Sequence, residues 1–346
     1  MNSRTNELMN YPPVLITQAE YDKSASVFTS ATGLDCRPAP AGEAALAEMI
    51  RATGCRAVVL GVAPYRDALY DALAQNAGDR GALIVRFGFG TDGINKPVAK
   101  AKGITLVNTP VDIQTSVAEL TLFLIGALMR HVPRLDAIVR GGGFAPVRGR
   151  ELCGQTALVI GGGKIGLKVM RMLHQGFGVR TLACSRSAET EWVAKTGVTR
   201  EVLRETFGVE AYSQDLNALL PQADIVSLHL PLSPETRNLI GAEQLARMKP
   251  GSVLVNVGRG GIVDEAALYD ALTSGRLAGA ASDVFAAEPY VPAAPDKDLR
   301  TLPNTVLSPH CGSDTFEANA RMGSSAAAQA ATFLAGHKAG LCIVPL

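Results

Sequence analysis

Short apolar runs alternate with stretches of helical periodicity along most of the chain. Residues 13–17, 57–61, 82–86 and 104–108 are apolar at nearly every position, as strands covered on both faces must be. Between them, 42–53 and 65–76 gather their apolar residues on one helical face. Residues 116–130 are apolar almost all round, which suits a helix buried between domains or subunits, or one that only joins two domains of a single chain. A glycine-rich break at 141–143 follows, and a second series of strands is then expected at 156–161, 180–185, 225–230, 252–257, 278–284 and 305–307. The alanine-rich segment 315–335 reads as a final helix. Such alternation predicts the α/β class with parallel sheets, and six strands in the second series match a dinucleotide-binding sheet.

Length and composition narrow the class. A chain of 346 residues exceeds what one hydrophobic core usually serves, so two domains are expected. Hydrophobic residues at 47% and charged ones at 19% describe a well-buried globular protein. A formal net charge of +1 offers nothing that would draw the chain to nucleic acid or an anionic membrane. The apolar stretch 120–129 is short of the roughly 20 residues a bilayer needs, and residues 1–10 are polar, without the apolar core of a signal peptide. Six scattered cysteines with no C-x-x-C pairing suggest reduced thiols in a cytoplasmic protein and no metal site. Cys311, next to His310, is read as a packing residue, because sequence neighbours rarely face one another.

Chemistry enters at 156–166, where a short buried strand runs into G-x-G-x-x-G and then a helical pattern. Gly161 permits the tight turn, Gly163 lets the backbone approach a pyrophosphate, and Gly166 lets the helix pack on the strand; Lys164 and Ile165, within the same loop, are expected to bind cofactor with them. At the end of the following strand, an NAD-binding domain normally offers a carboxylate to the ribose 2′-hydroxyl. Here the chain reads Cys184-Ser185-Arg186-Ser187. With no carboxylate to repel a 2′-phosphate, and with Arg186 and Ser185 able to bind one, NADP(H) is expected to be preferred, NAD(H) being the alternative. An exposed Arg ending a strand is the plainer reading of Arg186.

Three segments then end strands on the side where such sheets bind ligands: 256–265 with Arg259, 283–289 with Glu288, and 308–312 with His310. Their order, N-x-x-R-G-G-x-V-D-E, D-V-F-x-x-E-P and S-P-H-x-G, resembles the D-isomer-specific 2-hydroxyacid dehydrogenase family. That family includes phosphoglycerate, glyoxylate/hydroxypyruvate, D-lactate and phosphite dehydrogenases. Segments 88–95, 108–110, 116–119 and 229–236 agree with it, so the likeness runs from about Val58 to the C-terminus.

The resemblance implies His310 as acid/base, Glu288 as its partner and Arg259 as the clamp on the substrate carboxylate. Reducing a 2-keto acid leaves negative charge on oxygen, which a protonated imidazole neutralises, while a guanidinium fork binds carboxylate and polarises the carbonyl. It also implies that Val257, Gly258, Gly312, Pro231 and Thr236 line the cofactor, and that His229 lines its adenosine side. Asp283 would accept from the nicotinamide carboxamide, or simply cap its strand. Gly88, Phe89 and Gly90 would form a backbone cradle for the substrate carboxylate, or a bare turn. His131, His174 and His337 are read as structural. The glutamate at 288 disfavours formate oxidation, since formate dehydrogenases carry glutamine there.

The architecture so implied has two open parallel-sheet domains with the cleft between them. One is a flavodoxin-like substrate domain, 1–110 plus 313–346; the other is a Rossmann NAD(P)-binding domain, 111–312. A homodimer is expected through 116–130 and the glycine-rich arm. The loop 61–65 lacks the Arg that resembling phosphoglycerate enzymes use for a phosphate, while Phe89, Tyr65 and Tyr290 suggest a less polar pocket. Phosphoglycerate is thus disfavoured as substrate, while glyoxylate, hydroxypyruvate or a bulkier 2-keto acid stay open. Phosphite oxidation with the same three residues, and a non-catalytic NAD(H)-sensing protein like the corepressors that share this fold, are the alternatives.

Overall fold

A computed structural model describes residues 11–110 and 113–346. The polar segment 1–10 and the expected domain boundary at 110/111 touch residues outside the described ones. The chain divides into two compact units, one ending at Ile113 and resuming with Ser313–Leu346, the other spanning Gln114–Gly312.

The first unit holds five parallel strands: β1 (Val14–Thr17), β2 (Cys36–Ala39), β3 (Ala57–Leu60), β4 (Ala82–Arg86) and β5 (Ile104–Asn108), in the spatial order β2-β1-β3-β4-β5. This 2-1-3-4-5 order is the flavodoxin-like one, with its switch point between β1 and β3. Both sheet faces are covered. Leu15, Val58 and Ile84 point into one core; Val14, Ile16, Val59 and Val85 point into the other. The second core is closed by the last helix, Phe316–Leu334, through Met322, Ala326, Ala330 and Phe333. Gly323 on that helix passes so close to Ser24 that a Cβ would lie 2.6 Å from the serine's own.

The second unit holds seven parallel strands: β6 (Thr156–Ile160), β7 (Arg180–Cys184), β8 (Val209–Ser213), β9 (Ile225–Leu228), β10 (Val253–Asn256), β11 (Gly279–Ser282) and β12 (Thr305–Leu307). Their order, β12-β11-β10-β9-β6-β7-β8, is the Rossmann order with one strand added, and its switch point lies between β6 and β9. Alternate residues of β6 again feed opposite cores, Leu158 and Ile160 to one, Ala157 and Val159 to the other. The helix Gln114–Met129 lays Val117, Ala118, Ile125 and Met129 on the second of these and leaves Phe123 in solvent. No helix among the described residues is long and apolar enough to cross a membrane.

Six strands were expected in this sheet and seven are present; β2 was likewise missed in the other. Both β2 and β8 lie at a sheet edge and are only partly buried. A strand paired on one side and wetted on the other carries no continuous apolar run, and β2 also contains Pro38, which an edge tolerates.

Candidate active site

The loop after β6 shows three glycines used in three ways. Gly161 has φ +104°, and a Cβ there would sit 2.5 Å from the His229 carbonyl oxygen. Gly166, in the first turn of helix Lys164–Phe177, packs so tightly that a Cβ would overlap the Gly161 carbonyl and lie 3.0 Å from Val159 Cγ1. Gly163, at the N-cap, has nothing within 4 Å of its Cβ position. Two glycines therefore close the turn, and the middle one borders open space at a helix N-terminus, which fits a pyrophosphate. Lys164 is exposed beside it, while Ile165 packs on the core.

Across the switch point, the His229 imidazole makes one hydrogen bond, Nε2 with Ser227 Oγ at 2.8 Å, and its buried Nδ1 has no partner in the structure. Burial pushes this ring down to about 3, so it stays neutral. Thr236 is buried and closes its own loop, accepting from Ser233 N and donating to the Pro231 carbonyl, both at 2.8 Å. Beyond β7, Arg186 extends into solvent with its guanidinium 4.0 Å from the Glu235 carboxylate, an anion the sequence reading did not weigh.

The segment after β10 is a locked turn. Asn256 Oδ1 accepts from Gly258 N at 3.1 Å, and its Nδ2 donates to the Arg259 carbonyl at 3.0 Å. A Cβ on Gly258 would lie 2.8 Å from the Leu230 carbonyl, and one on Gly260 would overlap the backbone of Phe285. Asn256 and Gly260 thus explain two letters of the N-x-x-R-G-G pattern by local hydrogen bonding and packing, and Gly258 shows that one of its open positions is constrained as well. They fix Val257 and Arg259 at the mouth of the sheet; the Arg259 Nη1 donates to the Gly258 carbonyl at 2.8 Å. The motif ends with Asp264, which accepts from Ala266 N and Ala267 N to cap helix Glu265–Thr273, and with buried Glu265.

Glu265 Oε1 accepts from Ala286 N at 2.7 Å, and Glu288 Oε1 accepts from Phe285 N at 3.0 Å. Both bonds shape the loop that presents Glu288. Burial raises the Glu265 carboxyl above its ordinary value, and the neighbouring charges of Asp264 and Glu288 add to that. The Glu288 carboxyl is also pushed up by burial, yet bonds from His310 and Phe285 N, with the charges of His310 and Arg259, bring it below its ordinary value.

His310 Nδ1 meets Glu288 Oε2 at 2.7 Å, 22 residues apart in sequence, with both side chains about two-thirds buried. The histidine backbone has φ +54°, left-handed for a residue with a Cβ, and its N–H donates to the Asp283 carbonyl at 2.7 Å. Asp283 holds that conformation. Its buried carboxylate accepts from Ser308 Oγ (2.6 Å), Cys311 N (2.9 Å) and Gly312 N (2.9 Å), which ties down the whole turn carrying His310. Burial first, and then Asp283, raise the Cys311 thiol above its ordinary value, consistent with a packing role.

In the other unit, Gly88 has φ +125°, and its N–H donates to Thr109 Oγ1 at 2.7 Å. Asn108 Nδ2 donates to the Phe89 carbonyl at 2.9 Å; the Phe89 ring is exposed and Gly90 sits on the same loop. The less polar pocket needs correction. Tyr65 is a core residue whose hydroxyl donates to the Ala41 carbonyl, and Tyr290 packs on Phe285 and accepts from Leu299 N. Of the three aromatics, Tyr65 is buried, Tyr290 half-buried and Phe89 exposed. Among the histidines read as structural, His174 Nδ1 bonds the Val179 carbonyl at 3.1 Å, while His131 precedes helix Val132–Arg140 without a side-chain cap bond and His337 is exposed.

Residues 122–312 match the family described as "D-isomer specific 2-hydroxyacid dehydrogenase, NAD binding domain". The chain is 39% identical over 259 residues to D-3-phosphoglycerate dehydrogenase of Methanocaldococcus jannaschii, covering 74% of this chain and 46% of that one. It spans about half the length of the phosphoglycerate dehydrogenases it matches. Hydroxypyruvate reductase of Thermotoga maritima is 36% identical over 249 residues, 71% of this chain and 76% of its own. A solved NADPH-dependent glyoxylate/hydroxypyruvate reductase from Sinorhizobium meliloti, in complex with NADP and malonate, superposes with a TM-score of 0.76 at 26% identity, covering 97% of each chain.

Proposed function

The chain belongs to the D-isomer specific 2-hydroxyacid dehydrogenase family, and from that premise we propose that it moves a hydride between NAD(P)H and C2 of a small 2-keto or 2-hydroxy acid of the D series. The observation that carries this reading is the His310–Glu288 bond at the carboxyl end of the seven-stranded sheet. The unit 114–312 would bind the cofactor through Gly161, Gly163 and Gly166.

When bound, the reduced nicotinamide supplies hydride to C2 of the keto acid. Glu288 engages Nδ1 of His310, which leaves Nε2 as the atom that gives a proton to the C2 oxygen on reduction and takes it back on oxidation. A left-handed backbone held by Asp283 fixes where that ring points. Arg259 offers its planar fork to the carboxylate and draws electron density from the carbonyl. The relatives named hydroxypyruvate reductase and glyoxylate reductase favour these short, unphosphorylated acids as substrates. NADP(H) is the preferred cofactor on this reading, because Ser185 and Arg186 occupy the ribose end without a carboxylate of their own strand. Six free cysteines fit a cytoplasmic setting, and exposed apolar residues on 123–144 fit a homodimer.

The test is a screen of NADPH and NADH oxidation over glyoxylate, hydroxypyruvate, pyruvate and longer 2-keto acids, with His310→Ala as control. Turnover abolished by that change supports the proposal. Tight cofactor binding without turnover on any acid would point instead to a cofactor sensor.

A further inference from the structure

The chain contains a single tryptophan, and it stands against the phosphate loop. Trp192 is buried on helix Glu189–Thr196, and its Nε1 donates to the Gly162 carbonyl at 2.8 Å. Gly162 is the free position of G-x-G-x-x-G, but it is not free here. A Cβ on it would overlap the indole, so the tryptophan fills the space that a side chain at 162 would take. The other face of the indole stacks on Tyr212 of β8, with centroids 4.8 Å apart and planes 19° apart. The single Tyr212 hydroxyl proton is then shared between the carbonyls of Ser187, the nearer, and Ser185 at 3.3 Å, on either side of Arg186. Gln214 Nε2 adds a bond to the Arg186 carbonyl at 2.6 Å.

We infer that Trp192 and Tyr212 are positioning residues that fix the ribose-reading segment 185–187 relative to the phosphate loop, and so set how strongly the protein distinguishes NADPH from NADH. The brace links two loops by one continuous chain of contacts: carbonyl of 162, indole, phenol, carbonyls of 185 and 187. A pyrophosphate bound at the glycine loop places the ribose 2′ group at a fixed reach from it. Discrimination at that reach requires the second loop to hold one position, since an Arg left on a mobile segment loses its hydrogen-bond geometry to a phosphate. Neither brace residue touches the reacting atoms, so their effect belongs in cofactor affinity rather than in kcat.

The inference rests on the reading that 185–187 meets the ribose 2′ position, and the experiment separates the two. Dissociation constants for NADPH and NADH are measured by calorimetry on the full chain for wild type, Tyr212→Phe, Trp192→Phe and Arg186→Ala, with melting temperatures and kcat at saturating cofactor. Tyr212→Phe keeps the stack and loses the two hydroxyl bonds; Trp192→Phe keeps a ring and loses the N–H. Either is expected to weaken NADPH by about 3- to 10-fold and NADH by under 2-fold, at unchanged kcat. Equal weakening of both cofactors, or an unchanged ratio in a variant that melts like wild type, overturns the inference. Should Arg186→Ala leave the ratio untouched, the ribose-reading assignment falls. Loss of the ratio in Arg186→Ala but not in the two brace variants overturns only the brace.

Discussion

On the proposed mechanism His310 transfers a proton, and such a residue must be held by its neighbours without being buried by them. One ring nitrogen is committed to Glu288, and the backbone is locked in a left-handed turn by Asp283. His310→Gln should therefore lower kcat by roughly 10²- to 10⁴-fold and leave the dissociation constant for cofactor within about 2-fold; an equal loss in binding would mean that the ring holds cofactor instead. Asp283→Ala would strand three donors of the turn, one hydroxyl and two amides, and should cost on the order of 2–4 kcal/mol in chemical denaturation, as well as activity. Glu288 carries a sign that can be checked. Its carboxyl titrates below its ordinary value in the fold, so the stability it adds is complete above about pH 4.3 and disappears as pH falls through the lowered value. The advantage of wild type over Glu288→Gln should persist on acidification to that point and close only below it; closure already between pH 7 and 5 would contradict the assignment. The pairing of His310 with Glu288 was legible in the sequence because each stands in a dense motif. The residues that position them were less so. The hydrogen bonds of Asn256, Glu265 and Asp283 reach backbone amides and carbonyls, and no spacing in a sequence says which backbone groups those will be.

At the scale of elements, the same letter performs different work, and substitutions separate the tasks. Gly166→Ala drives a methyl into the Gly161 carbonyl where helix meets strand, and should destabilise the unit by about 1–3 kcal/mol even without cofactor. Gly163→Ala enters open space, so the free protein should melt as wild type does while its affinity for either dinucleotide falls about tenfold or more. If both variants were to lose stability alike, the loop would be serving the fold alone. Glu265 tests the opposite pH sign from Glu288. Its carboxyl titrates above its ordinary value, so the stability tied to its protonated form is present below that value and lost as pH rises through the raised one. Glu265→Gln keeps an acceptor for Ala286 N and should lack that decline, its melting temperature gaining on wild type between pH 4 and neutrality. Parallel curves would show that the group is not titrating as its burial requires. Central strands were legible because burial on both faces leaves an unbroken apolar run; β2 and β8 were not, because an edge is wetted on one side. Trp192 and Tyr212 escaped notice for a related reason. An aromatic in a short helix and one in an edge strand look like ordinary packing until the fold stacks them between two loops.

The molecule as a whole is two α/β units, each with a sheet covered on both faces, so neither needs a second chain to complete a core. What remains in solvent is therefore informative. Between 123 and 144 the second unit exposes Phe123 at 71%, Phe144 at 94%, and Val132 and Val139 at more than half. Phe123 projects from a helix whose opposite side is already committed to the core, and Val132 and Val139 lie on the adjoining helix Val132–Arg140. Scattered single apolar residues need no explanation, but four within 22 positions make the surface that the proposed homodimer would use. On the proposed homodimer, a second copy covers it. Sedimentation equilibrium should then give twice the chain mass for wild type, and Phe123→Glu with Phe144→Glu should shift the population to monomer by placing charge in the apolar contact. Phe123 and Phe144 are exposed and take no part in the core that helix Gln114–Met129 shares with the glycine-loop strand and helix, so the double variant should still bind NADPH; a variant that loses cofactor along with its partner would mean the surface supports the fold rather than an interface. Wild type sedimenting as a monomer at micromolar concentration would remove the homodimer and leave those four side chains to some other cover.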